Sequence, residues 1–307
     1  MYLAAIDIGS NSVKLAIGEV DAGQVRIVET QRITLQIGRH VEADGRIGND
    51  MILMVAQAVS KLATKARLAG ARRIDVVGTS AAREAIDGDR LAAAVSAAAG
   101  VPMRRLSGDE EAHLVSRSIE VAVGMPLREA IMVDIGGGST EVVRCDGGLV
   151  VERVSLPIGS VRLTERHGLD NEGALTEAQR ALLSASVGDA MQALPSGESG
   201  VCAFGCGGIV SLAGRLVHFG TPPTGVGSSG ADRMLVEHLQ VQDLRAQVDA
   251  ADLEARSALT GLKRKRAVIL PAGLAILDAL MAHLSIDELQ VHEQGIRVGL
   301  LADLFER

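Results

Sequence analysis

The stretch "IMVDIGGGSTEVV", residues 131–143, decides the fold. An apolar strand that carries Asp134 breaks at three consecutive glycines, Gly136–Gly138, and resumes after a Ser-Thr pair. A tight turn of this composition between two strands points several backbone N–H groups into one concavity, which favours an anion. Glycine lets a phosphate approach those N–H groups closely and also permits positive φ. The stretch therefore predicts an anion-binding hairpin with an acidic residue at the end of its first strand.

The same pattern occurs earlier in the chain, in "AAIDIGSNSVKLAI", residues 4–17. The matched positions are Asp7 with Asp134, Gly9 with Gly136, Ser12 with Ser139, and Lys14 with Glu141. A supersecondary unit that recurs in one chain indicates that a domain has been duplicated. In each copy we expect the aspartate to lie beside bound phosphate, where it can hold Mg²⁺ directly or through water.

Length and composition limit the classes of function. A chain of 307 residues is long enough for two domains of ordinary size. Hydrophobic residues make up 47% but aromatic residues only 1%, so the core must consist of aliphatic side chains and nucleic-acid bases have few rings to stack on. The net charge of −7 argues against a nucleic-acid partner. An anionic ligand would need a local basic patch.

The remaining compositional signals predict a cytoplasmic protein. The three cysteines, Cys145, Cys202 and Cys206, form neither a disulfide framework nor the paired clusters of a zinc site. No basic segment typical of a signal peptide precedes the first strand, and we expect no apolar run near the ~18 residues of a membrane span. We therefore expect no membrane partner.

Hydrophobic periodicity predicts strands that alternate with helices, which indicates an α/β fold. Strands are predicted at 2–8, 13–20, 24–38 (one strand or a bent pair), 72–78, 103–106, 130–135, 140–146, 149–155, 200–204 and 288–292. Helices are predicted at 50–68, 89–99, 109–123, 176–194, from 207 onward, twice within 242–260, at 270–284 and at 295–307. A hinge is predicted at 124–130. The segment 219–230 is predicted to be a loop, and its "GVGSSG" is no dinucleotide motif because "TPPT" rather than a strand precedes it.

A third glycine-rich turn, "FGCGGIV" at 204–210, joins a strand to a helix. Two strand-turn-strand loops and a late strand-glycine-helix turn resemble the two phosphate loops and the adenosine loop of the actin–hexokinase–Hsp70 superfamily. The resemblance implies two ribonuclease-H-like domains around a central cleft. The first would span 1–123 together with 294–307, and the second 124–293.

Within that superfamily the chain resembles the Ppx/GppA phosphatase family over essentially its whole length. The matching blocks are "DIGSNSVKL" (7–15), "GTSAAREA" (78–85), "LSGDEEAHL" (106–114), "VDIGGGSTEVV" (133–143), "FGCGG" (204–208), "KRAVILPAGLAIL" (265–277) and "GIRVGLL" (295–301). The resemblance implies Mg²⁺-dependent hydrolysis of the terminal phosphoanhydride of inorganic polyphosphate, without an organic cofactor and with scope for a homodimer. Guanosine pentaphosphate is the alternative substrate. A sugar or acetate kinase and a non-catalytic actin-like binding module are more remote alternatives.

Two neighbouring glutamates need different explanations. Ser107 and Glu110 fit the capping box of a helix N-terminus, which leaves Glu111 without a structural role. The resemblance implies that Glu111 is the base that orients and deprotonates the attacking water. It also implies that Arg83 binds a phosphate, although an arginine at a helix start is often simply solvated.

The resemblance assigns the other site residues. The phosphate-binding residues would be Ser10, Asn11, Ser12, Gly136, Gly137, Gly138, Ser139 and Arg266; the metal ligands would be Asp7, Asp134 and Glu141. Glu141 could instead tune the nucleophilic water, or be a plain exposed carboxylate. The run "KRKR" (263–266) is either a solvated helix end or a contact for a polyanion. Family members typically carry Asp where this chain has Val268 and Glu where it has Val298, which leaves substrate choice open.

Overall fold

The computed structural model describes residues 1–21, 24–123, 128–197, 200–219, 234–293 and 295–307. The chain divides into two compact units: the first comprises Met1–Leu127 and Gln294–Arg307, and the second comprises Arg128–Glu293. Most of the predicted hinge, 124–127, and nearly all of the predicted loop at 219–230, with its "GVGSSG", lie outside the described residues.

The first unit is built on a five-stranded sheet. Its elements are β1 (Tyr2–Ile8), β2 (Ser12–Asp21), β3 (Gln24–Thr34), α1 (Ile37–Asp44), α2 (Asn49–Leu68), β4 (Arg73–Gly78), α3 (Ser80–Glu84), α4 (Gly88–Ala99), β5 (Met103–Arg105), α5 (Gly108–Val123) and, near the end of the chain, α13 (Ile296–Glu306). The strand order is β3-β2-β1-β4-β5. Strand β1 is antiparallel to β2 and parallel to β4, and β5 continues the parallel part.

The second unit contains a six-stranded sheet. Its elements are β6 (Ala130–Ile135), β7 (Thr140–Asp146), β8 (Leu149–Leu156), α6 (Ser160–Arg166), α7 (Glu177–Met191), β9 (Cys202–Cys206), α8 (Gly207–Phe219), β10 (Leu235–Glu237), α9 (His238–Ala250), α10 (Leu253–Thr260), α11 (Arg264–Ala267), α12 (Leu270–His283) and β11 (Glu288–Val291). The strand order is β10-β11-β9-β6-β7-β8.

The two sheets share one topology. In each, three consecutive antiparallel strands form one side and parallel strands that follow helices form the other. Reading β8-β7-β6-β9-β11 against β3-β2-β1-β4-β5 matches every strand, and β10 is an addition at the edge. The predicted α/β class with two ribonuclease-H-like domains is therefore confirmed.

Aliphatic side chains form the cores, as the composition requires. In the first unit, α2 buries Val55, Val59 and Leu62 at helical spacing against the sheet. Helix α13 packs against α5, where a Cβ on Gly299 would lie only 2.4 Å from the carbonyl oxygen of Leu114. Glycine at that position allows the two helices to approach closely, which joins the end of the chain to its N-terminal domain.

Among the described elements, five lie outside the ranges predicted for helices and strands, namely α1, α3, α6, α11 and β10. The prediction of strand over 24–38 is wrong beyond Thr34 because Gln36 adopts a left-handed conformation, with φ 58°, and turns the chain into α1. A non-glycine residue with positive φ is uncommon, so periodicity does not reveal such a turn. Helix α6 has seven residues and β10 three, which is too short for a clear hydrophobic period.

One apolar stretch contradicts the expectation that no run approaches the length of a membrane span. Among the described residues, Arg264–His283 is long and apolar enough to cross a membrane by length and composition. This stretch comprises α11 and α12, and 72% of its apolar 18-residue segment is buried inside the structure. The core helix of a globular domain has the same properties, so this stretch is weak evidence for a span.

Candidate active site

In the first unit, the candidate residues lie where the three parallel strands end. The Gly9–Ser12 turn follows β1, Thr79 begins the turn after β4, and the loop leading to α5 follows β5. The amide of Thr79 donates to Ile8 O at 3.2 Å, and that of Leu106 to Gly78 O at 2.9 Å, so the three loops adjoin. Ligands of open α/β sheets bind at the carboxyl ends of strands.

The Gly9–Ser12 turn is held from one side by the start of α1. Inside the turn, Gly9 N donates to Ser12 O at 3.1 Å. The bonds from the α1 side are Gly38 N to Ser10 O at 2.8 Å, Leu35 N to Asn11 O at 3.1 Å and Gln36 N to Asn11 O at 2.9 Å. In a trans peptide the C=O and the next N–H point in opposite directions. The amides of Asn11 and Ser12 therefore point away from α1, as an anion-binding turn requires.

Two buried oxygens in this region have no hydrogen-bond partner within the described residues, Asp7 Oδ1 and Asn11 Oδ1. Asp7 is only 5% exposed, and its other oxygen, Oδ2, lies 3.5 Å from Lys14 Nζ. Buried polar atoms in native structures almost always have a partner, so these two oxygens are candidates to bind a ligand. A hard cation or its water shell fits two oxygen acceptors.

Glu111 and Arg83 are paired with each other. Arg83 Nη1 donates to Glu111 Oε2 at 2.9 Å and to Leu106 O at 3.0 Å, and Glu111 is 7% exposed. The neighbouring Glu110 forms the predicted capping box: Ser107 N donates to its Oε2 at 2.7 Å, and its amide donates to Ser107 Oγ at 3.1 Å. The capping-box prediction for Glu110 is confirmed. Glu111 is therefore a buried carboxylate beside a cation, at the end of β5.

The Gly136–Ser139 turn of the second unit has the same internal bond as its counterpart, from Gly136 N to Ser139 O at 3.0 Å. Helix α6 binds its three carbonyls in succession. The bonds are Ser160 N to Gly136 O at 3.1 Å, Val161 N and Arg162 N to Gly137 O at 2.8 and 3.0 Å, and Arg162 Nε to Gly138 O at 2.7 Å. By the same trans-peptide geometry, the amides of Gly137, Gly138 and Ser139 point away from α6. Three consecutive donors thus share one side.

Limited space explains the glycines at positions 136 and 159. The expectation of positive φ is wrong for Gly9 and Gly136, neither of which is left-handed. At Gly136 a Cβ would lie 2.9 Å from Ser139 O, and at Gly159 it would lie 2.5 Å from the backbone of Gly137. Gly207, in the third turn, is the position that needs positive φ, at +94°. Gly136 and Gly159 therefore require glycine because their backbones pack against neighbouring backbone, whereas a Cβ on Gly9 would come no closer than 3.5 Å to its nearest neighbour, Ser12 O.

The two acidic residues of the second hairpin face each other across it. Asp134 and Glu141 are directly paired in the β6–β7 register, which places their side chains on the same face. Glu141 is 1% exposed, and Ser155 Oγ donates to its Oε1 at 2.8 Å. A Cβ on Gly207 would lie 2.7 Å from Asp134 Oδ1, so the third glycine-rich turn adjoins this carboxylate.

This donor set fits Mg²⁺ bound in the manner usual for phosphate chemistry. Within the described residues, no three His, Cys, Asp or Glu side chains converge as a complete metal cage. Mg²⁺ is normally held by one or two carboxylates, with waters and phosphate oxygens as the other ligands. The Asp134–Glu141 pair supplies two carboxylates of the required kind.

Arg266 lies beside the third turn, since a Cβ on Gly208 would be 4.0 Å from its Nη2. It belongs to α11, which packs against α6 through an apolar cluster of Val161, Leu253, Ala267, Val268 and Ile269. Lys263, Arg264 and Lys265 are exposed on the same segment. Val268 and Val298 are both buried, and Val268 belongs to that apolar cluster, so an acidic residue at position 268 would place a carboxylate among apolar side chains.

Comparison with known proteins identifies the family. The model of the Ppx/GppA phosphatase family matches residues 16–307. The chain belongs to the Ppx/GppA phosphatase family. Its members are hydrolases of phosphoanhydride substrates, so this is the class of activity to which the site residues must be fitted.

Several solved structures are similar to this protein over nearly its full length. The Aquifex aeolicus PPX-GPPA enzyme is 25% identical, with a TM-score of 0.80, and the match covers 99% of each chain. An exopolyphosphatase from Cytophaga hutchinsonii is 19% identical, with a TM-score of 0.85, covering 100% of this chain and 98% of that one. An exopolyphosphatase-like protein is 23% identical, with a TM-score of 0.88, covering 99% and 97%. The last two share the fold.

Sequence reasoning did not assign roles to three residues that the structure places at the turns: Thr79, Ser155 and Arg162. A signal for the last two was present. "LQIG" at 35–38 and "LPIG" at 156–159 repeat one pattern at the point where each third strand gives way to the helix that binds the turn. This second repeat extends the duplication from a hairpin to three strands and a helix.

Proposed function

We propose that the protein is an exopolyphosphatase that removes the terminal phosphate of inorganic polyphosphate, with Mg²⁺ as its metal and Glu111 as the base. The observation that carries the proposal is the Glu111–Arg83 pair. Glu110 already caps α5, so Glu111 has no capping role, yet it is buried as a carboxylate beside an arginine. An ion pair between this buried carboxylate and the partly exposed Arg83, near the carboxyl end of β5, suits catalysis better than stability, because desolvation of the carboxylate offsets much of the attraction.

In this mechanism Glu111 accepts a proton from water and orients it towards the terminal phosphorus. Arg83 holds the Glu111 carboxylate in place through Nη1. The planar guanidinium carries further N–H donors, which can offset charge on the equatorial phosphate oxygens. Positioning and preorganised charge account for most of the rate in phosphoryl transfer, so few covalent steps are required.

The turns bind phosphate. In the first unit the donors are the amides of the Ser10–Ser12 segment; in the second they are those of Gly136–Ser139. In both turns the carbonyls are occupied from the helix side, so the N–H groups are already aimed before substrate arrives. Arg266, beside Gly208, adds a cation.

Within the second unit Mg²⁺ would be held by Asp134 and Glu141, and within the first unit Asp7 is the candidate ligand. When bound, the metal would neutralise phosphate charge and polarise the scissile bond. The paired carboxylates of the second hairpin and the unpaired Asp7 Oδ1 support this assignment. Ser155 donates to Glu141 and so fixes one of its two oxygens.

Polyphosphate is favoured over guanosine pentaphosphate by two features of the chain. Aromatic residues are only 1% of the sequence, so few rings can stack on a guanine base. The exposed Lys263, Arg264 and Lys265 lie on the segment that carries Arg266 and suit a long polyanion. Guanosine pentaphosphate remains the alternative within the same chemistry.

Phosphate release from long-chain polyphosphate, tripolyphosphate, guanosine pentaphosphate and ATP, each with and without Mg²⁺, tests the proposal. We expect the fastest Mg²⁺-dependent release from polyphosphate. Faster release from guanosine pentaphosphate would establish the alternative. Transfer of phosphate from ATP to an acceptor would establish a kinase, and absence of turnover on every substrate would contradict the proposal.

A further inference from the structure

The three carbonyls of the Gly136–Ser139 turn are not bound in the same way. Backbone amides of α6 bind the oxygens of Gly136 and Gly137. The oxygen of Gly138 is bound by a side chain, through Arg162 Nε at 2.7 Å. Arg162 lies in the first turn of α6 and is half-buried. Its Nε–H therefore sets the orientation of the peptide between Gly138 and Ser139.

This peptide is held by a side chain, whereas backbone amides of α6 hold the two peptides before it. Glycine rotates about its backbone bonds at little cost, so the Gly138–Ser139 peptide could turn over if its carbonyl were released. A turned peptide would direct a carbonyl oxygen, instead of the Ser139 N–H, to the side where phosphate binds. An oxygen lone pair repels a phosphate oxygen, so one donor would be exchanged for a repulsive contact.

We propose that Arg162 is a positioning residue, which aims the Ser139 amide at phosphate by holding Gly138 O on the opposite side. The inference rests on the proposed function, because it needs the turn to bind the phosphate of the substrate. It adds a residue that touches the turn rather than the reacting atoms.

In the first unit, backbone amides bind the carbonyl that corresponds to Gly138 O. There the matching carbonyls, on Ser10 and Asn11, are bound by the backbone amides of Gly38, Leu35 and Gln36. Substitution of a side chain in α1 would leave those bonds intact. In the second unit the Arg162 side chain binds the last carbonyl of the set, so its replacement should disturb this turn and spare the other.

Three substitutions distinguish the effect of the Nε–H donor, which orients the turn, from the effect of positive charge alone. In Arg162→Gln the amide nitrogen is bonded to Cδ, as Nε is in arginine, so an N–H donor is retained without the charge. In Arg162→Lys the charge is retained, but the nitrogen lies one bond further along. Arg162→Met keeps the length and has neither donor nor charge. Arg166→Gln is the matched control, because Arg166 is exposed one turn later on the same helix.

The readouts are kcat and KM for polyphosphate hydrolysis, the inhibition constant of inorganic phosphate, and Tm. We expect Arg162→Met to lower kcat/KM by about 10²-fold, the effect of removing one preorganised N–H donor. We expect Arg162→Gln to keep most of the wild-type kcat/KM and of the phosphate affinity, and to exceed Arg162→Lys. Arg166→Gln should match the wild type in every readout.

The inference is overturned if Arg162→Lys is as active as the wild type while Arg162→Gln is as poor as Arg162→Met, since charge would then be what matters. It is also overturned if Arg162→Met equals the wild type. If Arg162→Met does not fold, the inference is decided by whether kcat/KM is higher for Arg162→Gln than for Arg162→Lys. A wild type inactive on all phosphoanhydrides is a different outcome, which defeats the proposed function and this inference together.

Discussion

Lys14 and Glu141 occupy the same position in two copies of one hairpin, each directly opposite the hairpin's aspartate. Lys14 pairs with Asp7 in the β1–β2 register, and Glu141 pairs with Asp134 in the β6–β7 register. In the first unit a cation therefore offsets the carboxylate, with Lys14 Nζ 3.5 Å from Asp7 Oδ2. In the second unit the carboxylate is doubled. The duplicated fold has thus diverged in charge at the second residue pair from the turn, since Ile8–Val13 and Ile135–Thr140 are the pairs next to it.

This difference predicts that the second hairpin contributes most of the affinity for metal. Glu141→Gln should greatly weaken binding of Mn²⁺, used as a paramagnetic substitute for Mg²⁺, because it removes one of two adjacent carboxylates. The matched control is Lys14→Gln at the equivalent position, which should leave Mn²⁺ binding unchanged or stronger. Titration followed by electron paramagnetic resonance measures both. Equal affinities in wild type and Glu141→Gln would refute the assignment of this pair to the metal.

Ser155 should tune the same metal through Glu141. Its hydroxyl donates to Glu141 Oε1, so Ser155→Ala leaves a buried carboxylate less well oriented. Loss of a residue that orients a ligand typically weakens metal affinity by about 10- to 100-fold. Ser155→Thr keeps the hydroxyl and should restore the affinity measured by the same Mn²⁺ titration. If Ser155→Thr were no better than Ser155→Ala, the hydroxyl would not be the cause.

Gly159 should be intolerant of even one methyl group. A Cβ there would lie 2.5 Å from the Gly137 backbone, so Gly159→Ala must displace the anion-binding turn or α6. Such overpacking costs about 1–3 kcal/mol of unfolding free energy and should strongly reduce phosphate release.

Gly188 is the matched control for that substitution. It is exposed in α7 with nothing within 4 Å of its ideal Cβ, so Gly188→Ala should add about 0.5–1 kcal/mol of stability and leave activity unchanged. Urea denaturation and the phosphate-release assay measure both variants. Wild-type activity in Gly159→Ala would show that the contact with α6 does not shape the turn.

Asp87 should make the stability of the first unit depend on pH. Burial alone would raise the pKa of Asp87, but the hydrogen bonds from the amides of Ile47 and Gly48, at 2.8 and 2.9 Å, together with the charge of Arg46, hold it below its ordinary value. A carboxyl with a lowered pKa stabilises the fold above its unfolded-state pKa, about 3.9, and this stability is lost as pH falls through the folded-state pKa.

The substitution Asp87→Asn tests this dependence. At neutral pH it should cost about 1–3 kcal/mol, because the side-chain amide leaves a buried backbone N–H without an acceptor. The difference from the wild type should shrink as the pH falls below about 4. Urea denaturation at a series of pH values measures it. A difference that grew on acidification would have the wrong sign for a lowered pKa.

The duplicated hairpins were predictable because their information is local. The alternation of apolar residues around Asp7 and Asp134, with glycine-rich breaks after each, specifies strand-turn-strand without reference to distant residues. The helices that bind those turns were not predicted, since α1 begins through a left-handed Gln36 and α6 depends on Gly159 meeting Gly137. The bonds between the first turn and α1, and those between the second turn and α6, join segments more than 20 residues apart in the chain.

The candidate site was predictable to the same degree. The motifs predicted which residues lie at the two anion-binding turns. The capping box predicted a structural role for Glu110 and left Glu111 as the candidate catalytic residue. The Glu111–Arg83 pair spans 28 positions, and the links of Ser155 to Glu141 and Arg162 to Gly138 span 14 and 24. The residue types alone do not specify such pairings, because each residue is compatible with a solvated position on its own element.

The most direct test of the account compares phosphate release from polyphosphate by the wild type, Glu111→Gln and Glu110→Gln in the presence of Mg²⁺. Removing a general base lowers rates by about 10²–10⁴-fold, so Glu111→Gln should lose nearly all turnover while retaining the wild-type Tm. Glu110→Gln keeps an oxygen acceptor for the Ser107 amide and should remain active. A fully active Glu111→Gln would contradict the account.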